Sequence, residues 1–467
     1  MESLLKSEFS SPAVLVFSLL VWVMFPGMSM LSLGAVIISI HQFVLLFNSV
    51  GSIMPVRYLF GSFMCLQFFI GPVLAYNGLD EYQYPLYRML IPESEYFGYA
   101  LPAVISFIIG FHITAGNLIG EHIDVEQVKK YVQQNKKLPY IFIVMGFCTS
   151  IVSSFLPAEL AFVFVILGGF KFVGLFMLIL GQEQLAVGPM AMVLGSIVMS
   201  SLGEGMFHDL LTWLIFTGAI FLIRYKPSIP VKVGLCTAFI LLSVVIQQIK
   251  QELRANLSRG GKGGLETLSS AYYSQQEKDG IFSFASLAPS NVRINQGFII
   301  TNIMNTVPSK VPFSNGEELK IILEAAFLPR FLAPNKLKAG DRTIFMKYSG
   351  IELGEGTSMG LSSLGDAYLN FGIFGGCIFM LVLGLFYSEI LKIFHRHTFK
   401  YPILILFVPL IFYYPIRPDS ELQTLLGHVV KSCFLLWIIF KYLSSLFKLQ
   451  DEADNETESD TSLLSPA

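Results

Sequence analysis

The sequence predicts an all-α polytopic membrane protein with about twelve transmembrane helices and one large, partly helical loop outside the bilayer. Three observations carry this fold class. The 467 residues are 54% hydrophobic and only 14% charged, whereas a soluble domain carries about 25% charged residues. Apolar runs of spanning length recur along the chain, parted by short polar stretches. After the ninth run comes a polar stretch of about a hundred residues, and a connection that long without a role is uncommon.

A spanning helix needs about 20 mostly apolar residues, because a rise of about 1.5 Å per residue must cross about 30 Å of hydrocarbon. The runs that qualify are residues 13–30, 31–47, 58–76, 97–120, 140–156, 158–180, 186–202, 206–223 and 231–249, then 366–391, 401–414 and 422–447. The chain therefore divides into residues 1–249 with helices one to nine, a loop or cap at 250–365, residues 366–447 with helices ten to twelve, and an acidic tail at 448–467. The tail is expected to be disordered. The N-terminus shows no basic segment followed by a small-residue cleavage site, so the first run reads as a retained helix. No internal repeat of fixed period is visible.

Orientation follows from Lys and Arg in short loops, which stay cytoplasmic. With the N-terminus inside, one side carries Lys6, Arg57, Lys129, Lys130, Lys136, Lys137, Arg224, Lys226, Lys232, Lys392, Arg396, Lys400, Lys441 and Lys448. The short loops of the other side carry only Arg88 and Arg417, fourteen against two. Both termini are then inside and the long loop is outside. The net charge of -2 points to no nucleic-acid partner. Cys65, Cys148, Cys236, Cys377 and Cys433 lie in or beside apolar runs without metal-site spacing and read as packing residues.

The loop has local pattern. Residues 259–264 are glycine-rich and read as flexible. Val292, Gln296, Ile299 and Ile303 repeat as one face of a helix. Ser314 and Glu317 match a capping box ahead of the run EELKIILEAAFL, which Pro329 ends. Pro334 and Asn335 read as a turn.

Charges inside the spans are few. Lys171 and Lys431 are the exceptions, at an insertion cost of about 2.5–3.5 kcal/mol each at mid-span. Snorkelling, a helix break and anion binding remain open for both. Polar residues gather instead at the outer face: Glu204, His208 and Asp209 in one short turn, and Arg417, Asp419 and Glu421 in the last. The long loop adds Arg293, Gln296, Arg330, Lys336, Lys338 and Arg342. Thr357, Ser358, Tyr368 and Asn370 offer hydrogen bonds just before and inside the tenth span. Arg417 is the most informative cation, because a short outer loop disfavours it. It either snorkels or grips an anionic head group, since a guanidinium fork matches phosphate oxygens. Arg293 is otherwise a surface charge, Arg330 a helix C-terminal charge, and His208 a packed interfacial histidine. Glu204, His208, Glu355 and Asp419 are the candidate catalytic bases, and the sequence does not choose among them. HExxH, DxD and Walker A motifs are absent from the sequence, so metal-dependent and nucleotide hydrolysis have no support.

The segment GTSMGLSSLGDAYLNFGIFGGCIFMLVLGL resembles the region after the large outer loop of O-antigen and exopolysaccharide repeat-unit polymerases, the Wzy family. A glycine-rich stretch leads there into an aromatic–Asn–Phe–Gly start of a span, matched by Tyr368, Asn370, Phe371 and Gly372. RINQGFIITNIMNTVP, AAFLPRFLAPNK and YPIRPDSE look like other blocks of that family. The resemblance covers residues 293–421 in motif and most of the chain in topology. It implies a bacterial inner-membrane glycosyltransferase with a periplasmic loop and cytoplasmic termini. Such an enzyme joins repeat units carried on undecaprenyl pyrophosphate, using neither metal nor cofactor. The lipid-linked oligosaccharide and the bilayer would be its partners, with a chain-length regulator as a further one. Family arginines that bind the anionic carrier map to Arg293, Arg330, Arg342 and Arg417. Gln296, Lys336, Thr357, Tyr368 and Asn370 complete the expected pyrophosphate and glycan site. An O-antigen ligase shares this architecture, and a flippase for lipid-linked glycans remains an alternative of another class.

Overall fold

The computed structural model describes residues 10–25, 27–114, 122–258, 273, 291–292, 294–328, 333, 336–337, 340–354 and 357–449. Among them regular structure is helical, apart from one isolated bridge between Val50 and Ile53. The helices are α1 (Ser10–Met24), α2 (Met30–Ser49), α3 (Val56–Tyr76), α4 (Glu93–Ile113), α5 (Val125–Gln134), α6 (Leu138–Ser153), α7 (Ala158–Gly168) and α8 (Phe170–Gly181). They continue with α9 (Val187–Glu204), α10 (His208–Tyr225), α11 (Ile229–Ser258), α12 (Gly297–Thr306), α13 (Glu317–Phe327) and α14 (Arg342–Ser349). The last are α15 (Ser362–Thr398), α16 (Pro402–Phe412), α17 (Leu422–Tyr442) and α18 (Ser444–Phe447).

Among the described residues eight helical stretches are long and apolar enough to span a membrane: α2, α3, α4, the run through α7 and α8 (Phe162–Gly181), α9, α11, α15 and α17. The chain is a polytopic membrane protein. Four other expected runs form helices that fall short of that length or apolarity, which accounts for eight against the expected twelve. α1 has 15 residues and α6 has 16. α10 has 18 residues but carries Asp209 and Arg224 near its two ends. The run at 401–414 opens as a 3-10 turn, Pro402–Phe407, before its α-helical part. α5 meets α6 at a bend of 85°, and Pro139 follows directly in the first turn of α6, where proline is favoured.

α4 and α15 form the central pair. They run parallel: Tyr99 donates to the Leu364 carbonyl near their start (2.7 Å), and further along Gly110 lies against Leu381 and Gly384 against Phe107. A Cβ on either glycine would enter the partner's backbone. Small residues allow such close crossings, where van der Waals contact between backbones replaces the hydrophobic drive that lipid removes. Phe60 fills the flank of this pair, with ring centroids 5.0 Å from Phe111, 5.2 Å from Tyr387 and 5.8 Å from Phe412. Such aromatic pairs add about 0.5–1.5 kcal/mol each beyond their buried area.

α12, α13, α14 and residues 362–371 build a cap over one end of the bundle. Gly372, with φ 64° and ψ -160°, breaks α15 between its cap portion and its span. That backbone region is close to glycine-only, which explains the glycine after Tyr368, Asn370 and Phe371. The cap is stitched to α3 at a π turn, Leu66–Ile70. There the Gln67 carbonyl accepts from the Gln296 N–H (3.0 Å), and Gly71 lets the backbone of Ile294 and Asn295 approach. α13 starts at Glu317 with Gly316 as its N-cap, and the Ser314 hydroxyl accepts from the Glu318 N–H (2.8 Å). The expected reciprocal cap with Glu317 is not made, and the Ser314 N–H donates to the Leu369 carbonyl (2.9 Å). Glu318 instead accepts from Lys347 Nζ and Tyr348 Oη of α14, both at 3.0 Å. These bonds to Tyr348 and Glu318 raise the Lys347 ammonium above its ordinary value.

Replacing Gly384 by Leu is expected to cost about 3 kcal/mol or more, at the upper end of overpacking penalties, because backbone rather than a side chain must give way. Gly195 meets nothing within 4 Å, so Gly195→Leu should leave stability unchanged. Thermal unfolding of the detergent-solubilised chain compares the two; equal melting points would remove the crossing as the organising contact.

Candidate functional site

The polar centre of the cap end forms where α10 begins and the turn before α17 passes beside it. Gly205, in the left-handed region at φ 62°, turns the chain from α9 into α10. His208 and Asp209 are the first residues of α10. Asp209 Oδ1 lies 3.1 Å from His208 Nε2 and 2.8 Å from Arg417 Nη2, and Tyr413 also hydrogen-bonds to Asp209. The Arg417 guanidinium sits 4.3 Å from the Tyr413 ring centroid and 4.9 Å from that of Tyr414. Tyr413 in turn stacks on Trp213 (5.0 Å), and Trp213 on Phe172 (3.7 Å). A column of aromatic faces therefore rises from α8 through α10 to the arginine, a favourable seat for a planar cation.

Arg417 is 9% exposed. Burial works against its charge, but Tyr413, Asp209 and Tyr414 outweigh that and hold the guanidinium above its ordinary value. Its Nε is buried and makes no hydrogen bond. A donor left in this state costs free energy unless a ligand or water supplies an acceptor.

Lys250 belongs to the same centre: its charge, with those of Arg417, Asp209 and Asp419, reaches His208. α11 does not stop at residue 249 but continues to Ser258, carrying Lys250 upward. Ile246, Lys250 and Leu253 are buried while most of the lower part of the helix is exposed. Their i, i+4, i+7 spacing is a helical stripe, and it was the available signal for Lys250.

Of the expected residues, His208, Asp419 and Arg417 come together. Glu204 ends α9, is exposed and accepts from Ser200 Oγ (3.1 Å). Thr357 is exposed in a turn closed by its N–H on the Gly354 carbonyl (3.2 Å). That segment leads to Gly360, which packs on the backbone of Asp419, Ser420 and Glu421. Glu421 ties the same place to the cap by accepting from the Gly340 N–H at 2.9 and 3.0 Å.

The other expected residues serve the cap's own architecture. Lys336 Nζ donates to the carbonyls of Ala325 (3.1 Å) and Leu328 (2.8 Å) at the end of α13, a lysine C-cap. Arg342 donates through Nη2 to the Leu353 carbonyl. Gln296 precedes α12 as its N-cap residue. Tyr368 is buried between Tyr99 (5.0 Å) and Phe313 (5.8 Å). Asn370 accepts from the Leu319 N–H (3.2 Å) and donates to the Asp366 carbonyl (2.8 Å). Arg293, Arg330 and Glu355 lie outside the described residues.

The arrangement offers cations presented from two elements, Arg417 from the turn and Lys250 from α11, with His208 and Asp419 near them as proton-transfer groups. Asp209 is the residue that orients Arg417. Asp209→Ala should cost about 1 kcal/mol, between the limits for exposed and buried pairs, because the carboxylate is half open to solvent. Thermal unfolding measures the loss; an unchanged melting point would mean that Asp209 does not hold Arg417. Asn370→Leu strands the Leu319 N–H and should cost about 1–3 kcal/mol by the same measurement.

Comparison of the chain with protein-family models, with curated proteins and with solved structures gives no match.

Proposed function

We propose that this protein is a polymerase of the Wzy type, joining oligosaccharide repeat units carried on undecaprenyl pyrophosphate. The observation that carries the reading is Arg417: a buried, permanently charged guanidinium, aimed by Asp209 and two tyrosines, with its Nε donor unused. In this reading the twelve apolar runs all cross or enter the bilayer, the termini are cytoplasmic and the cap is periplasmic. The inside excess of Lys and Arg supports that orientation.

The chemistry follows from the donor. Glycosyl transfer from a lipid pyrophosphate develops negative charge on the leaving phosphate, and fixed cations stabilise that charge most where water is excluded. Arg417 and Lys250 fill that role. The acceptor hydroxyl must be oriented and relieved of its proton, a role that His208 or Asp419 would take while Asp209 stays paired with Arg417. The lipid tail stays among the helices, and the sugars lie under the cap.

Deleting the gene should leave surface glycans one repeat long. Long polymer stranded on the lipid carrier would indicate the ligase, and repeat units held at the cytoplasmic leaflet the flippase. Arg417→Ala should reduce polymer about a hundredfold or more while the protein still reaches the membrane. Glycan length profiles beside an immunoblot read both; full-length polymer in the variant would overturn the assignment of Arg417.

A further inference from the structure

We propose that the end of the bundle opposite the cap carries a binding surface for anionic phospholipid, with Lys136, Lys137 and Lys441 holding the head-group phosphate. This surface follows from the polytopic character of the chain and is independent of the polymerase reading.

Contacts between elements bring these lysines to one end. α8 and α10 leave the cap end side by side. Phe172 stacks on Trp213 near their starts (3.7 Å), and Arg224 in the last turn of α10 donates to the Glu183 carbonyl just past α8 (2.6 Å). At that terminus Gly181 lies against Val132 of α5, and Gln182 Nε2 donates to Tyr140 Oη of α6 (3.0 Å). α17 arrives there from the cap. Its Phe440 stacks on Phe447 of α18 (4.3 Å), whose ring centroid lies 6.5 Å from that of Phe142 of α6. Tyr131 of α5 donates to the Leu446 carbonyl of α18 (2.5 Å). The start of α6 and the end of α17 are therefore neighbours. α5 meets α6 at a bend of 85°, so it lies across the bundle end and not along a span.

The exposed faces of α6 and α17 lead to the same place. On α6, Ile141, Val144, Cys148 and Ile151 are exposed and form one stripe at helical spacing. Lys137 is exposed one turn before Ile141, on the same line. On α17, Phe434, Trp437 and Lys441 are exposed and share one face. In a membrane-spanning bundle, an apolar stripe that the protein leaves uncovered faces acyl chains. Each stripe ends in a lysine where its helix passes from hydrocarbon towards head groups. Trp437, whose ring centroid is 4.7 Å from Lys441 Nζ, and the exposed Tyr140, one turn after Lys136, mark that depth, because amphipathic rings collect at the interface. A lysine stem reaches from there to the phosphate level.

The charge of this surface is one-sided. Lys129, Lys130, Lys136 and Lys137 run through α5 and its turn into α6, whereas Asp124 and Glu126 stand at the other end of α5. Among the described residues no carboxylate lies within ion-pair distance of Lys136, Lys137 or Lys441. Cations grouped at head-group depth without a protein counter-ion attract anionic lipid, and each further lysine tightens the hold.

The test titrates the detergent-solubilised full chain with phosphatidylglycerol, and separately with phosphatidylcholine of the same acyl chains, reading apparent Kd by native mass spectrometry. Saturable binding of phosphatidylglycerol, about tenfold or more tighter than that of phosphatidylcholine, is the expected result. Lys136→Gln, Lys137→Gln and Lys441→Gln combined should weaken it about tenfold or more, while arginine at the same three positions retains it. Lys320→Gln, which removes an exposed cation of the cap, should leave it unchanged. The three lysines are exposed, so the glutamine variant keeps its fold, and its elution in size-exclusion chromatography checks this. Equal affinity for the two lipids, or phosphatidylglycerol binding indifferent to the three glutamines, overturns the proposal.

Discussion

Everything in this molecule hangs from the contact in which two helices touch backbone to backbone. Gly110 of α4 and Gly384 of α15 leave no side chain between them, and the aromatic cluster around Phe60 and Tyr387 closes over that seam. In lipid, apolar side chains gain little by leaving the solvent for one another, so association depends on how closely surfaces fit. Parallel alignment of these helices has a geometric consequence. Both starts lie at the cap and both ends lie at the opposite face, so each polar residue near a terminus is assigned to one end of the bundle.

The cap is an extension of that pair. α15 begins inside it, turns at Gly372 and descends as a span. Asn370, two residues before the turn, holds the first turn of α13, and Glu318 in the same turn collects Lys347 and Tyr348 from α14. Glu421, just before α17, reaches back to Gly340. The cap is fastened by backbone groups paired with buried side chains, and such bonds are costly to break when no water can replace them. This rigidity lets the turn at 413–421 hold Arg417 in one orientation over Tyr413 and Tyr414.

The two ends differ in how their cations are kept. At the cap end a carboxylate, Asp209, faces Arg417, and an arginine so paired can be buried without losing its charge. At the far end the buried rings of His112 and His395 leave three nitrogens without a hydrogen-bond partner.

Much of the fold was legible in the residues themselves. Apolar length alone located the helices of the bundle, because a backbone in hydrocarbon must satisfy its hydrogen bonds within the segment. Periodicity marked α12, where Ile299 and Ile303 lie one turn apart and are buried, and a capping pattern at Ser314 marked α13. The short loop around Arg417 marked that arginine before any contact was known. What the tertiary structure decided was which polar residues share a site. Tyr368 and Asn370 read as hydrogen-bonding groups for a ligand, yet they are buried within the cap, where Gly372 breaks α15. Lys250 read as the start of a loop, yet α11 carries it to His208. A linear pattern reports only neighbours within a turn or two of helix; contacts between helices depend on how they cross, and that was set by where glycines let backbones meet.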